Sequence, residues 1–101
     1  MDHLLNFLNE EYHEPPETLS EDTKNIHRAL NSLIEELEAI DWYHQRWTKT
    51  ENQSLKEIVK HNRDEEIEHA VMTLEWLRRE IPEFDKNLKK YLFKNGNIAE
   101  H

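Results

Sequence analysis

Glu66 and His69 stand three residues apart in the stretch DEEIEHAVMTLEW, residues 64–76, among positions that read as the apolar face of a helix. Successive helical residues advance by roughly 100°, so faces can be sorted from numbering alone. With Glu66 as the zero direction, Leu55, Val59, Asn62, Ala70, Thr73 and Leu77 cluster around it. Glu66 therefore sits at the centre of the stripe, and His69 lies on its flank one turn further on. Glu65, Glu68 and His61 fall well round the helix on a second acidic face. The preceding helical stretch repeats the division: Glu36 lies between Ala29, Leu33, Ile40 and Tyr43, whereas Glu35, Glu38 and Trp42 point elsewhere.

An ionised carboxylate buried without compensation is costly, so such positions are rare unless the charge is paired, protonated or bound to a metal. Arg and Lys are missing from this face. Acids in a wet groove, bonded to Asn62 and Thr73, would account for any single glutamate, but the combination points further. One carboxylate from one helix and Glu-x-x-His from its neighbour, all facing inward, make half of the donor set with which helical bundles hold two metal ions. A two-fold contact between two such hairpins would supply each ligand twice, giving four carboxylates and two imidazoles. These donors suit iron(II), with zinc or manganese also accommodated, and a bridging carboxylate can hold two ions about 3.5–4 Å apart. Hard carboxylates favour iron(III) over iron(II), and two metals can pass two electrons to one oxygen molecule. Ferroxidation is the expected reaction. Tyr43, two turns beyond Glu36 on the same line, could bond a ligand or coordinate; a core tyrosine at a bundle edge fits equally well.

The elements that must position these groups are helices. Ser20 followed by Glu21 and Asp22 is a helix start, and helix one is expected over 20–48 with its stripe through Ile26, Leu30, Leu33, Leu37, Ile40 and Trp47. TKTENQS is the turn. Helix two is expected over about 51–80, ending before Pro82, and a short third helix over about 83–94, ending at Gly96. Residues 1–18 form an arm, with an amphipathic stretch through Leu4, Leu5, Leu8 and Tyr12 that Pro15-Pro16 must stop. The expected organisation is thus all-α: arm 1–18, a ferritin-like antiparallel hairpin domain with a short C-terminal helix at 19–95, and a tail at 96–101, two copies pairing into a four-helix bundle.

Composition agrees. The chain has 101 residues, 35% of them charged, with one Gly, three Pro and a net charge of −9. Two long helices in so short a chain have no third wall to cover both apolar stripes, so self-association is expected. The acidic balance argues against nucleic acid and anionic membranes as partners and favours cations. No cysteine is present, which excludes disulfides and thiolate metal sites and fits a reducing cytosol. No stretch reaches the length of a membrane span, and the N-terminus lacks the pattern of a secretory signal. A soluble, cytoplasmic protein is expected.

LIEELEAIDWYHQR (33–46) and HNRDEEIEHAVMTLEWLRR (61–79) resemble the two signature helices of the encapsulated ferritins, and LSEDTKNIHRAL (19–30) and YLF (91–93) extend the likeness over roughly residues 13–93. The resemblance implies a ferroxidase whose two-helix subunits pair around a di-iron centre. It also implies assembly into an open ring, a pentamer of dimers, housed in an encapsulin shell that stores the mineral. Carried over by position, the centre would be Glu36, Glu66 and His69 with Tyr43 nearby. Glu35, Glu38, His61, Glu65 and Glu68 would attract metal, calcium or another divalent cation included, with Trp42 close by. Members commonly end in a flexible tail bearing an encapsulation peptide; the sequence here ends KNGNIAEH.

Glu10-x-x-His13 precedes the proline pair and reads as incidental, whereas Asp41-x-x-His44 places His44 near the centre of helix one's stripe, as a groove histidine or an extension of the site. His3, His27 and His101 have no partners at ligand spacing and are expected in solvent. Two rival functions stay open. One is a structural dimerisation hairpin without catalysis; the other is a rubrerythrin-like di-metal peroxide scavenger.

Overall fold

The computed structural model describes residues 12–100. Three helices account for most of it: α1 (Glu21–Lys49), α2 (Gln53–Glu80) and α3 (Pro82–Tyr91), preceded by a single 3-10 turn at Pro16–Thr18. No strand occurs among the described residues, and none of their helices is long and apolar enough to cross a membrane. The amphipathic stretch anticipated before Tyr12 lies outside them, as do His3 and His101.

Each boundary has a local cause. The Ser20 hydroxyl oxygen accepts from the Thr23 amide at 3.1 Å, capping α1, while Glu21 and Asp22 face the positive end of the dipole and Arg46 and Lys49 the negative end. Asn52 does the same for α2, accepting from the Leu55 amide at 3.0 Å. That cap sets the start at Gln53 rather than at 51. At the far end the Ile81 amide closes the last turn on the Leu77 carbonyl at 2.9 Å. Pro82 lacks an amide hydrogen to continue that ladder, but its fixed φ suits the first position of a new helix, so α3 begins on the proline itself. It stops at Tyr91, short of the expected 94, because Leu92 is already extended and Phe93 adopts a left-handed φ of 58°.

The two long helices fold back on each other through the Thr50–Asn52 link, and α3 packs beside the end of α2. Arg78 fastens that corner. Its guanidinium donates to both Glu75 carboxylate oxygens, at 2.7 and 2.8 Å, and to Asp85 on α3, which also pairs with Lys89 at 2.9 Å.

The core is thin. Among the described residues only Val59, Ala70 and Leu77 are buried apolar side chains, all on α2 and all on the stripe anticipated around Glu66. Large apolar residues stay uncovered on both flanks of the hairpin: Ile58, Met72 and Trp76 by the side that carries His69, and Leu30, Ile34, Leu37, Ile67 and Val71 by the other.

Candidate metal centre

The sorting of carboxylates into faces holds in three dimensions. Glu36, Tyr43, Glu66 and His69 are half-buried, whereas Glu35, Glu38, His61, Glu65, Glu68 and Trp42 are exposed. Glu36 on α1 meets α2 through Thr73, whose hydroxyl lies 3.3 Å from Glu36 Oε1 and 3.1 Å from the His69 carbonyl oxygen. One hydroxyl proton cannot serve both acceptors fully. The nearer one is the helix's own carbonyl four residues back, the usual outlet for a mid-helix threonine. Glu36 is thus poorly served at Oε1, and its Oε2 is buried with no hydrogen-bond partner among the described residues. A carboxylate oxygen removed from water and left without a donor is the place a cation would relieve.

One turn away His69 presents Nδ1 to Glu66 Oε2 at 3.8 Å and Nε2 to Glu65 Oε2 at 3.9 Å. These are too long for hydrogen bonds; they are neighbours on one surface. Glu65 also has its other oxygen 3.6 Å from His61 Nε2. The two acidic groups, separate on the helical wheel, therefore adjoin through Glu65. Among the described residues no three His, Asp or Glu side chains converge on a single point that could hold a metal ion. Glu36, Glu66 and His69 provide hard oxygen donors and one imidazole per chain, which fits iron in chemical character, and one chain presents only part of a coordination sphere.

Three neighbouring positions differ from expectation. His44 does not extend this cluster: its Nδ1 faces the Arg63 guanidinium at 3.1 Å, so it serves as an acceptor at the turn end of the hairpin. Arg63 is the cation that helical-wheel sorting missed. It reaches from α2 onto the Trp47 ring of α1, 4.7 Å from the centroid, and its side chain is only 16% exposed. Together with Lys60 it holds the Asp64 carboxyl below the usual range. A tryptophan on the facing stripe is the sequence signal that could have placed it, since guanidinium groups stack on indole faces. His27, expected in solvent, is half-buried under the Tyr12 ring at a centroid distance of 4.6 Å.

A helical hairpin with an inward carboxylate oxygen of Glu36 left without a donor among the described residues has the form of a ferritin-like half-bundle. The EncFtn-like family model matches residues 11–95, and the chain belongs to that family, the encapsulated ferritins. A ferritin-like protein of Thermotoga maritima is 50% identical over 91 residues, 90% of this chain and 80% of the relative. An encapsulated ferritin-like protein of Rhodospirillum rubrum is 55% identical over 87 residues, 86% of this chain; the match spans 62% of that relative's length. The crystal structure of protein ne0167 from Nitrosomonas europaea superimposes with a TM-score of 0.83 at 57% identity, covering 87% of this chain and 98% of that one. Membership gives the chain a ferritin-like, iron-related role.

Proposed function

We propose that the protein is a ferroxidase that acts as a pair of chains. Two hairpins meet across a two-fold axis through the faces carrying Glu36, Glu66 and His69, forming a four-helix bundle with two iron(II) substrate ions bound between the chains. The observation that carries this reading is the buried, unserved Oε2 of Glu36 beside an open Glu66–His69 edge. The exposed Ile58, Met72 and Trp76 flanking that edge support it, since pairing through this face covers them as it completes the site. The accessible surface supports it too: 8391 Å² against the roughly 6,100 Å² of a compact chain of this mass. The excess, about 2,300 Å² per chain, is well above the roughly 800 Å² per partner of a standard interface and matches a large obligate one.

In this reading Glu36, Glu66 and His69 of both chains would hold the two ions, supplying hard oxygen donors and one imidazole from each chain. Each iron(II) gives up one electron. Oxygen accepts two electrons and two protons and leaves as hydrogen peroxide. Carboxylate donors favour the iron(III) formed, and the exposed acids Glu35, Glu38, Glu65 and Glu68, with His61, draw cations towards the site by their field. That second group is also where calcium or another divalent ion would bind. In this reading Tyr43 would bond a ligand. The name of the Rhodospirillum relative, with the family's, supports an encapsulin shell as the partner; in this reading the shell receives the oxidised iron from a ring of paired chains.

The experiment is oxygen uptake and the iron(III) absorbance rise after addition of iron(II). Glu66→Ala and His69→Ala are each expected to lower the initial rate by about two orders of magnitude or more, since each would remove a donor to the metal. A wild-type rate in Glu66→Ala overturns the proposal. A preference for peroxide over oxygen as oxidant would instead favour the scavenger.

A further inference from the structure

The segment that follows α3 carries a chemistry unrelated to the iron face. The backbone leaves the helix through extended Leu92 and left-handed Phe93 and reaches Gly96, the chain's single glycine, at a φ of 95°. Asn95 precedes it. Both residues are exposed and lie outside any helix, and a Cβ built on Gly96 would meet nothing within 4 Å. Among the described residues no hydrogen bond engages the Asn95 side chain or the Gly96 amide.

The side-chain carbonyl carbon of an asparagine can close a five-membered ring with the amide nitrogen of the next residue. A helical backbone holds the two apart, and a side chain on the next residue hinders the approach. The sequence allows an internal comparison. Asn25, Asn31, Asn62 and Asn87 stand within α1, α2 and α3. Asn52 uses its carboxamide oxygen to cap α2, accepting from the Leu55 amide and the Ser54 hydroxyl. Asn97 accepts from the Ala99 amide at 3.0 Å and is followed by β-branched Ile98. Asn95 alone among the described asparagines combines an unengaged carboxamide, an irregular backbone and a neighbour without a Cβ.

We propose that Asn95–Gly96 is a site of spontaneous deamidation. The Gly96 nitrogen, deprotonated by hydroxide, attacks the side-chain carbonyl carbon of Asn95. The new C–N bond closes a succinimide, and the side-chain nitrogen takes up the proton and leaves as ammonia. Water then opens the ring at either carbonyl, giving aspartate or isoaspartate at position 95. The sum is one water consumed and one ammonia released, with no change of oxidation state. Each event adds a negative charge beside Lys94, at the end of a stretch, residues 86–94, with four lysines and no acid. Isoaspartate also lengthens the main chain by one carbon where it leaves α3. Charge and backbone at this end of the molecule therefore change with its age.

Full-length protein incubated at mildly alkaline pH tests this. Trypsin cuts after Lys94, so the peptide beginning at Asn95 isolates the segment, and fragment ions separate position 95 from position 97. Position 95 is expected to exchange ammonia for water earlier than the asparagines of α1, α2 and α3, and faster as pH rises. Two products are expected, of which the isoaspartyl one accepts a methyl group from S-adenosylmethionine in the presence of an isoaspartyl methyltransferase. Gly96→Ala is expected to slow the conversion at least about tenfold while leaving the helical content unchanged. Retention of the original mass, conversion at Asn97 instead, an equal rate in Gly96→Ala, or aspartate formed without isoaspartate overturns the proposal.

Discussion

Thr73 is the residue on which the properties of Glu36 turn. Its hydroxyl is the sole donor to Glu36 among the described contacts, and it is shared with the His69 carbonyl. Thr73→Val keeps the shape of the side chain and removes the donor, so Glu36 loses its orientation towards α2. Groups that orient metal ligands typically matter at the level of 10–100-fold in affinity. The account predicts iron(II) binding weakened by about tenfold in Thr73→Val and restored in Thr73→Ser, measured by calorimetric titration without oxygen. Equal affinity in all three would show that Glu36 is held by something else. Glu66→Leu separates the two main readings of the acidic stripe. It is predicted to abolish oxidation while raising the melting temperature of the metal-free protein, because an inward carboxylate is exchanged for an apolar group. Wild-type oxidation in that variant would remove Glu66 from the site, and no oxidation by either protein would leave the structural dimerisation reading in place.

At the scale of the elements, the corner between α2 and α3 depends on charge more than on packing. Arg78 donates to Glu75 and Asp85; its hydrogen bonds, with those of Arg79, hold the Glu75 carboxyl at about 2, and Lys89 and Arg78 lower that of Asp85. A carboxylate whose folded value lies below its ordinary one stabilises the fold above the ordinary value and ceases to do so as pH falls towards the folded one. The docking of α3 is therefore expected to weaken as pH falls below the ordinary aspartate range and Asp85 loses its charge, seen as chemical-shift changes at the Arg78–Asp85 corner. Asp85→Asn should loosen α3 already at neutral pH, and a wild-type spectrum there would contradict this. Leu77, fully buried between the helices, is expected to cost about 2–5 kcal/mol on replacement by Ala in chemical denaturation. The hairpin was legible beforehand because the stripes of α1 and α2 keep helical spacing for seven or eight turns and because Ser20 and Pro82 mark ends. The start of α2 was misplaced by two residues because the Asn52 cap sits inside a run, TKTENQS, in which several residues could cap. The division of Glu36 and Glu66 from Glu35, Glu38 and Glu68 was legible for the same reason of period. Arg63 on Trp47 and Tyr12 on His27 were not, since each is a tertiary meeting between elements that no spacing within one helix encodes.

For the whole molecule, the proposed function gives the thin core and the lack of a three-donor metal group among the described residues one explanation: a single chain would be half of the working unit. The account's central claim is that iron(II) binds between two chains. Native mass spectrometry of the protein titrated with iron(II) in the absence of oxygen reads this directly. Iron is predicted to add in steps of two ions per pair of chains, only to dimers and their multiples, and to vanish from those species in Glu66→Ala. Iron bound stoichiometrically by single chains, or an unchanged iron content in Glu66→Ala dimers, would contradict it.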